Sequence, residues 1–214
     1  MNGVDTLFLL VVLAPLFVAR WRVSLLGLAA QGVLLWYASG GSTPTFDDAW
    51  AFDLVDFLVL RAGLAPGLLY LAFRRPDVPD RNDVIPANLL AWMVVVLLVL
   101  VSFRFAGTMA PAGPESGRVA VAATSLVLGF FVLATQRNVF SQIIGALRIE
   151  NAVALLEAHG EGAPVHPAAR VAQLVVLAGA IGLYVWYLEA LAARPAADHD
   201  DDPDVAVVPG EEAS

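Results

Sequence analysis

Arg148, Glu150 and Asn151 stand near the middle of QRNVFSQIIGALRIENAVALLEA, Gln136 to Ala158, an apolar segment long enough to cross a bilayer. Ionisable groups at membrane depth are costly, by about 2.5–3.5 kcal/mol each on insertion scales. A chain that keeps two there either pairs them inside a helix bundle or uses them to move charge. On a helix, Leu147, Glu150, Ala154 and Glu157 share one face, and Ser141, Gly145, Arg148 and Ala152 share roughly the other. Arg148 and Glu150 are two residues apart and point about 160° from each other on a 3.6-residue helix. They cannot easily neutralise one another, so each needs a partner on a neighbouring helix or another subunit. Glu150 then reads as a protonatable relay whose pKa Arg148 sets. The same residues also read as glue in a protein–protein seam.

A second apolar stretch has Asp53 and Asp56 near one end and Arg61 deeper, followed by Pro66. Proline removes a backbone hydrogen bond and can kink a helix. Arg61 is either the counter-ion of Glu150 or a holder of carbonyls freed near the kink. A buried arginine stays charged, so it tunes a proton carrier without being one. Asp56 reads as interfacial, and Arg104 as snorkelling to the headgroups. Gln31 and Gln173 are neutral amides suited to interhelical hydrogen bonds.

Other chemistry is excluded by what the chain lacks. There is no cysteine, hence no disulfide, iron–sulfur ligation or thiol catalysis. The three histidines, His159, His166 and His199, fall in expected loops or the tail, so no pair sits inside a span to hold a haem. No Ser/His/Asp set, metal-ligand spacing or phosphate loop is present, and no basic patch supports nucleic-acid binding. The expectation is no cofactor, and no enzyme activity in this chain by itself.

The elements that must position these residues are membrane helices. Hydrophobic residues make up 59% of the 214 and charged residues 15%, with mean hydropathy +0.74. A soluble domain is about 45–50% apolar and about 25% charged. A spanning helix needs about 20 mostly apolar residues. Seven stretches qualify, at roughly 4–19, 23–39, 54–73, 86–107, 118–135, 138–158 and 168–192. The first two are short, and a re-entrant hairpin is the alternative for that pair. Asp5, with no basic residue before it, argues against a cleaved signal peptide.

Orientation follows from the arginines, since the chain has no lysine. Arg20, Arg22, Arg74, Arg75, Arg81, Arg137 and Arg194 fall on one set of loops, and only Arg118 and Arg170 on the other. The positive-inside rule then puts the N-terminus outside and the C-terminus in the cytoplasm. Trp36, Tyr37, Trp50, Trp186 and Tyr187 sit near span ends as interface anchors. After Arg194 come seven acidic residues and no basic one, so most of the net charge of −8 belongs to a tail expected to be disordered.

The QRN-to-EN block resembles the hydrogenase-4 component E family, whose members show a similar QRN…Q-I-x-G…E-N pattern. The arginine-rich first turn, Gln31, Arg61 and Pro66 fit that likeness. The last three spans also look like the three-helix K-type subunit of complex I and the C subunit of multisubunit sodium/proton antiporters. Arg137-Asn138, Gly145 and Asn151 match those proteins. The K-type glutamate falls at Leu147, and this chain places its acid at Glu150, about 4.5 Å further along the axis on the same face. The second K-type glutamate, in the last span, has no counterpart.

The resemblance implies an all-α membrane bundle with a four-helix region over residues 1–117, a K-type three-helix region over 118–194 and a tail over 195–214. It implies an accessory subunit in the cytoplasmic (inner) membrane, packed against large antiporter-like and other membrane-arm subunits of a complex I-like respiratory complex. Glu150, Arg148, Arg61, Asn151 and Glu157 are then the candidates for an ion path, with the redox reaction on other chains. A purely structural adaptor, or a subunit of a cation/proton antiporter or an inorganic-carbon uptake complex, is the alternative.

Overall fold

The computed structural model describes residues 3–17, 21–41, 43, 48–74, 89–109, 114–136, 138–158 and 167–193. The acidic tail, the three histidines, and Arg20, Arg75, Arg81, Arg137 and Arg194 of the orientation argument lie outside them. Among the described residues every element is helical. The helices are α1 (Gly3–Phe17), α2 (Trp21–Ala38), α3 (Asp48–Phe73), α4 (Leu89–Met109), α5 (Pro114–Thr135), α6 (Val139–Glu157) and α7 (Pro167–Ala192). Each overlaps one expected apolar stretch. The largest difference is at α3, which starts six residues before Leu54 because Asp48–Asp53 adds a short α-helical entry.

Five helices, α3 to α7, are long and apolar enough to cross a membrane, which makes the chain a multi-pass membrane protein. α1 is apolar but has only fifteen residues, and α2 carries Arg22 and Gln31 among its eighteen.

The packing is uneven. Of the apolar stretch of α6, 61% is buried, against 17% for α4 and for α7. α6 packs on α5 and α2, α2 packs on α1 and α3, α4 leans on α5, and α7 leans on α3. The centre is therefore α2, α3, α5 and α6, with α4 and α7 at the margins. Two apolar clusters divide this centre along its length. One joins Leu25 and Leu28 of α2, Leu69 and Phe73 of α3, and Phe140 and Ile144 of α6. The other joins Leu35 and Trp36 of α2, Phe57 of α3, and Ala154 and Leu155 of α6. Gln31 of α2 and Asn151 of α6 lie between the two clusters, and Arg61 of α3 lies at the near edge of the first, next to its member Leu60.

The middle of α3, Leu54–Leu64, is a π-helix, closed by the N–H of Ala65 donating to the Leu60 carbonyl five residues back. Such i→i+5 segments are rare and mostly a single turn. Pro66 falls at the return to α-helix. A proline near the start of a helical segment lacks an N–H that would otherwise need a partner there.

Glycine sets how closely the central helices approach. A Cβ added at Gly32 of α2 would lie 2.6 Å from the Ala62 nitrogen and 2.8 Å from its Cα in the π segment. Gly145 of α6 faces Gly129 of α5, where a Cβ would meet the opposite carbonyl at 3.3 Å. Close backbone approach through small residues is how membrane helices gain van der Waals contact without a hydrophobic driving force. Gly32→Ala should destabilise the bundle by about 1–3 kcal/mol, the range for overpacking. Gly67→Ala, with nothing within 4 Å of the new methyl, should be nearly silent. Unfolding midpoints of the two variants in mild detergent check this; equal midpoints would refute the close-contact role of Gly32.

Candidate functional site

A polar chain crosses the bundle between the two apolar clusters. Arg61 Nε donates to Asp56 Oδ1 at 3.0 Å, and Arg61 Nη1 donates to Asn151 Oδ1 at 3.0 Å. Asn151 Nδ2 in turn donates to Gln31 Oε1 at 3.0 Å. Arg61 and Asn151 are each 3% exposed, Gln31 1%, and the Asp56 side chain 13%. Three helices far apart in sequence are thus tied at one level, and the arginine charge is neutralised within its own helix.

The π geometry makes that neutralisation possible. Residues five apart on an α-helix point about 140° away from each other. The i→i+5 ladder of a π-helix stacks them instead, so Asp56 and Arg61 face the same way. Helical periodicity in the sequence could not reveal this pair, and the reading of Asp56 as an interfacial residue misses its role. Asp56 lies where α3 passes from its outer turns into the packed centre, and it holds Arg61 aimed at α6.

Beside this chain lies a void of about 10 Å³, lined by Arg61, Asn151, Leu28, Ala65, Leu147, Leu177 and Ile181. That is about the space one water molecule needs, and Arg61 and Asn151 supply polar partners. α2, α3, α6 and α7 meet there.

The other predicted residues divide. Arg148 is 4% exposed and lies with Ser141 and Ala152, both 0% exposed, on one buried side of α6; the shared side is as expected, its burial is new. Arg148 is not without an interaction partner. The opposite face is mixed: Leu147 and Ala154 are buried, whereas Glu150 and Glu157 are exposed. Glu157 accepts a hydrogen bond from Gln173 Nε2 of α7 at 3.0 Å. Glu150 sits within electrostatic reach of Tyr184 on α7 and makes no hydrogen bond or ion pair among the described residues.

Two expectations about Glu150 therefore need correction. Arg61 is not its counter-ion, because Arg61 turns to Asp56 and Asn151 on the interior side of α6 while Glu150, one residue from Asn151, points about 100° away. Nor is Glu150 buried within this chain, since α7 leans on α3 and leaves that side of α6 open.

Sequence reasoning also missed two ion pairs between helix beginnings. Arg118 Nε of α5 meets Asp5 of α1 at 3.4 Å, with Asp5 1% exposed. Arg170 Nη1 of α7 meets Asp53 of α3 at 3.5 Å, both about one-third exposed, so this second pair contributes little stability. The charge signs were legible in the sequence, but the pairing across 113 and 117 residues was not.

The start of α6 has a local explanation. Asn138 is extended, with φ −77° and ψ 129°, and its side chain accepts from the Phe140 N–H. Gln142 Nε2 donates back to the Gln136 carbonyl at 3.3 Å. Asn138 thus caps a helix start, satisfying a donor that the first turn leaves open. Among the described residues no cluster of His, Asp and Glu could hold a metal ion.

This arrangement can bind helices together and hold charge inside the bundle. A search for similar proteins found no matching family model, curated sequence or solved structure.

Proposed function

We propose that this chain is an accessory subunit of a larger ion-translocating membrane complex of the complex I-like or hydrogenase-4-like kind, seated among antiporter-like subunits in the cytoplasmic membrane. The observation that carries the reading is Glu150: an exposed carboxylate at the level of the polar chain, near the middle of a membrane helix, with no counter-ion among the described residues. An ionisable group there is costly unless a partner or a water-filled path receives it. The Asp56–Arg61–Asn151–Gln31 chain is the structural part of the site, and Glu150, with Glu157 two turns further on, is its outward-facing part. Oxidation and reduction take place on other chains.

Seven crossings are part of the proposal. α2 contributes to the apolar cluster at the start of α6 and to the one at its end, so it runs alongside α6 over most of its length. The Asp5–Arg118 and Asp53–Arg170 pairs bring the beginnings of α1 and α5, and of α3 and α7, to matching levels, as alternating up-and-down crossings require. With the arginine-poor side outside, the C-terminus is cytoplasmic.

A purely structural adaptor is the second reading, favoured by the hydrogen bonds that tie Asp56, Arg61, Asn151 and Gln31 together inside the bundle. Purification from native membranes in mild detergent tests the proposal: large multi-helix subunits of the antiporter type should copurify in fixed ratio. A monodisperse, thermally robust monomer that brings no membrane protein with it would overturn it.

A further inference from the structure

Glu150 also defines a surface. It lies seven residues before the end of α6, about 10 Å in at 1.5 Å per residue. Val153 and Leu156, the next exposed residues on that side, are apolar. α7 runs antiparallel past this side, with Gln173 at Glu157 and Tyr184 near Glu150. α7 is nevertheless supported by α3, so its contact with α6 is slight and a groove is left between them.

Its one ionisable group at mid-depth is an acid, and charge complementarity selects the occupant. A lipid tail would leave the carboxylate unsolvated in hydrocarbon. A second copy would bring the same acid to the same seam, and like charges there disfavour the pair. A spanning helix bearing arginine or lysine at that depth supplies the missing charge and covers the apolar flanks.

We infer that the α6–α7 groove around Glu150 seats a transmembrane helix of a partner subunit that presents an arginine or lysine to Glu150. This rests on reading the chain as one subunit of an assembly. The absence of cysteine makes the test clean. Single cysteines at Val153 and Leu183, and at Val96 on the outer side of α4 as a comparison, would be labelled with a benzophenone maleimide in native membranes, irradiated, and the adducts mapped by mass spectrometry.

Adducts from Val153→Cys and Leu183→Cys should map to a membrane-spanning segment of another polypeptide with an arginine or lysine within about one turn. Glu150→Lys should lower their yield by about ten-fold or more, and changing the partner's basic residue to glutamate should restore it. Adducts with lipid only, with a second copy, or with a segment lacking a basic residue would overturn the inference. If Val96→Cys then still reaches a partner protein, the subunit reading survives without this groove. If no position yields a protein adduct, both fall.

Discussion

Arg61→Met should destabilise the bundle by about 3–5 kcal/mol, the cost of breaking a buried charge pair from one side. The change leaves the Asp56 carboxylate without its cation and the buried Asn151 Oδ1 without its donor. It also removes the only side-chain bond found between residues five apart in the π segment, so α3 should lose the register that aims position 61 at α6. The midpoint of unfolding in mixed detergent micelles, followed by helical ellipticity, reads this directly. Asp56→Leu combined with Arg61→Met should cost less than the sum of the two single changes, because the second no longer strands a charge. Arg61→Lys should fall between, since an ammonium is a point charge that cannot serve two partners through a planar fork. A loss below about 1 kcal/mol for Arg61→Met, the range of an exposed ion pair, would show that the chain is solvated.

The second large effect concerns Glu150 in the assembled complex. Glu150→Gln keeps shape and hydrogen bonding and removes the titratable group. If Glu150 relays protons, ion translocation should fall on the order of 100-fold, the lower range for a positioned acid or base, while electron transfer persists uncoupled or slowed. The electrochemical gradient in inverted vesicles, set against the rate of electron transfer, separates these. If the residue only holds neighbours, translocation should survive Glu150→Gln and Glu150→Ala should impair assembly. Full translocation by an assembled Glu150→Gln complex would leave the chain an adaptor. Its exposure on α6 sharpens the test, because Glu150→Gln breaks no hydrogen bond or ion pair among the described residues.

Much of the architecture could be read before any coordinates. Runs of apolar residues broken by Gly, Pro and charge locate helices, because hydrogen-bonded backbone and apolar side chains are what a bilayer requires. Each of the seven stretches holds one helix among its described residues, and the described ends lie within a few residues of expectation except at α3. The 3.6-residue period alone put Ser141, Gly145, Arg148 and Ala152 on one side of α6; that this side is the buried one came from the packing. Gln31 as an interhelical hydrogen-bonding group also followed, since an amide deep in an apolar helix has no water to bond.

What remained hidden needed the third dimension. Period 3.6 assigns Asp56 and Arg61 to different sides of α3; only the π segment brings them together. Sequence can say that Arg61 and Glu150 each need a partner, yet not that Arg61 has an aspartate five residues back and an asparagine ninety residues on. It can place Glu150 at mid-depth, but not on an open face, because that depends on α7 leaning against α3 instead of α6. Local periodicity determines which residues share a side of a helix and how deep they lie. Which neighbour covers that side is decided by helix packing, where a glycine contact or a change of helical register shifts every partner at once.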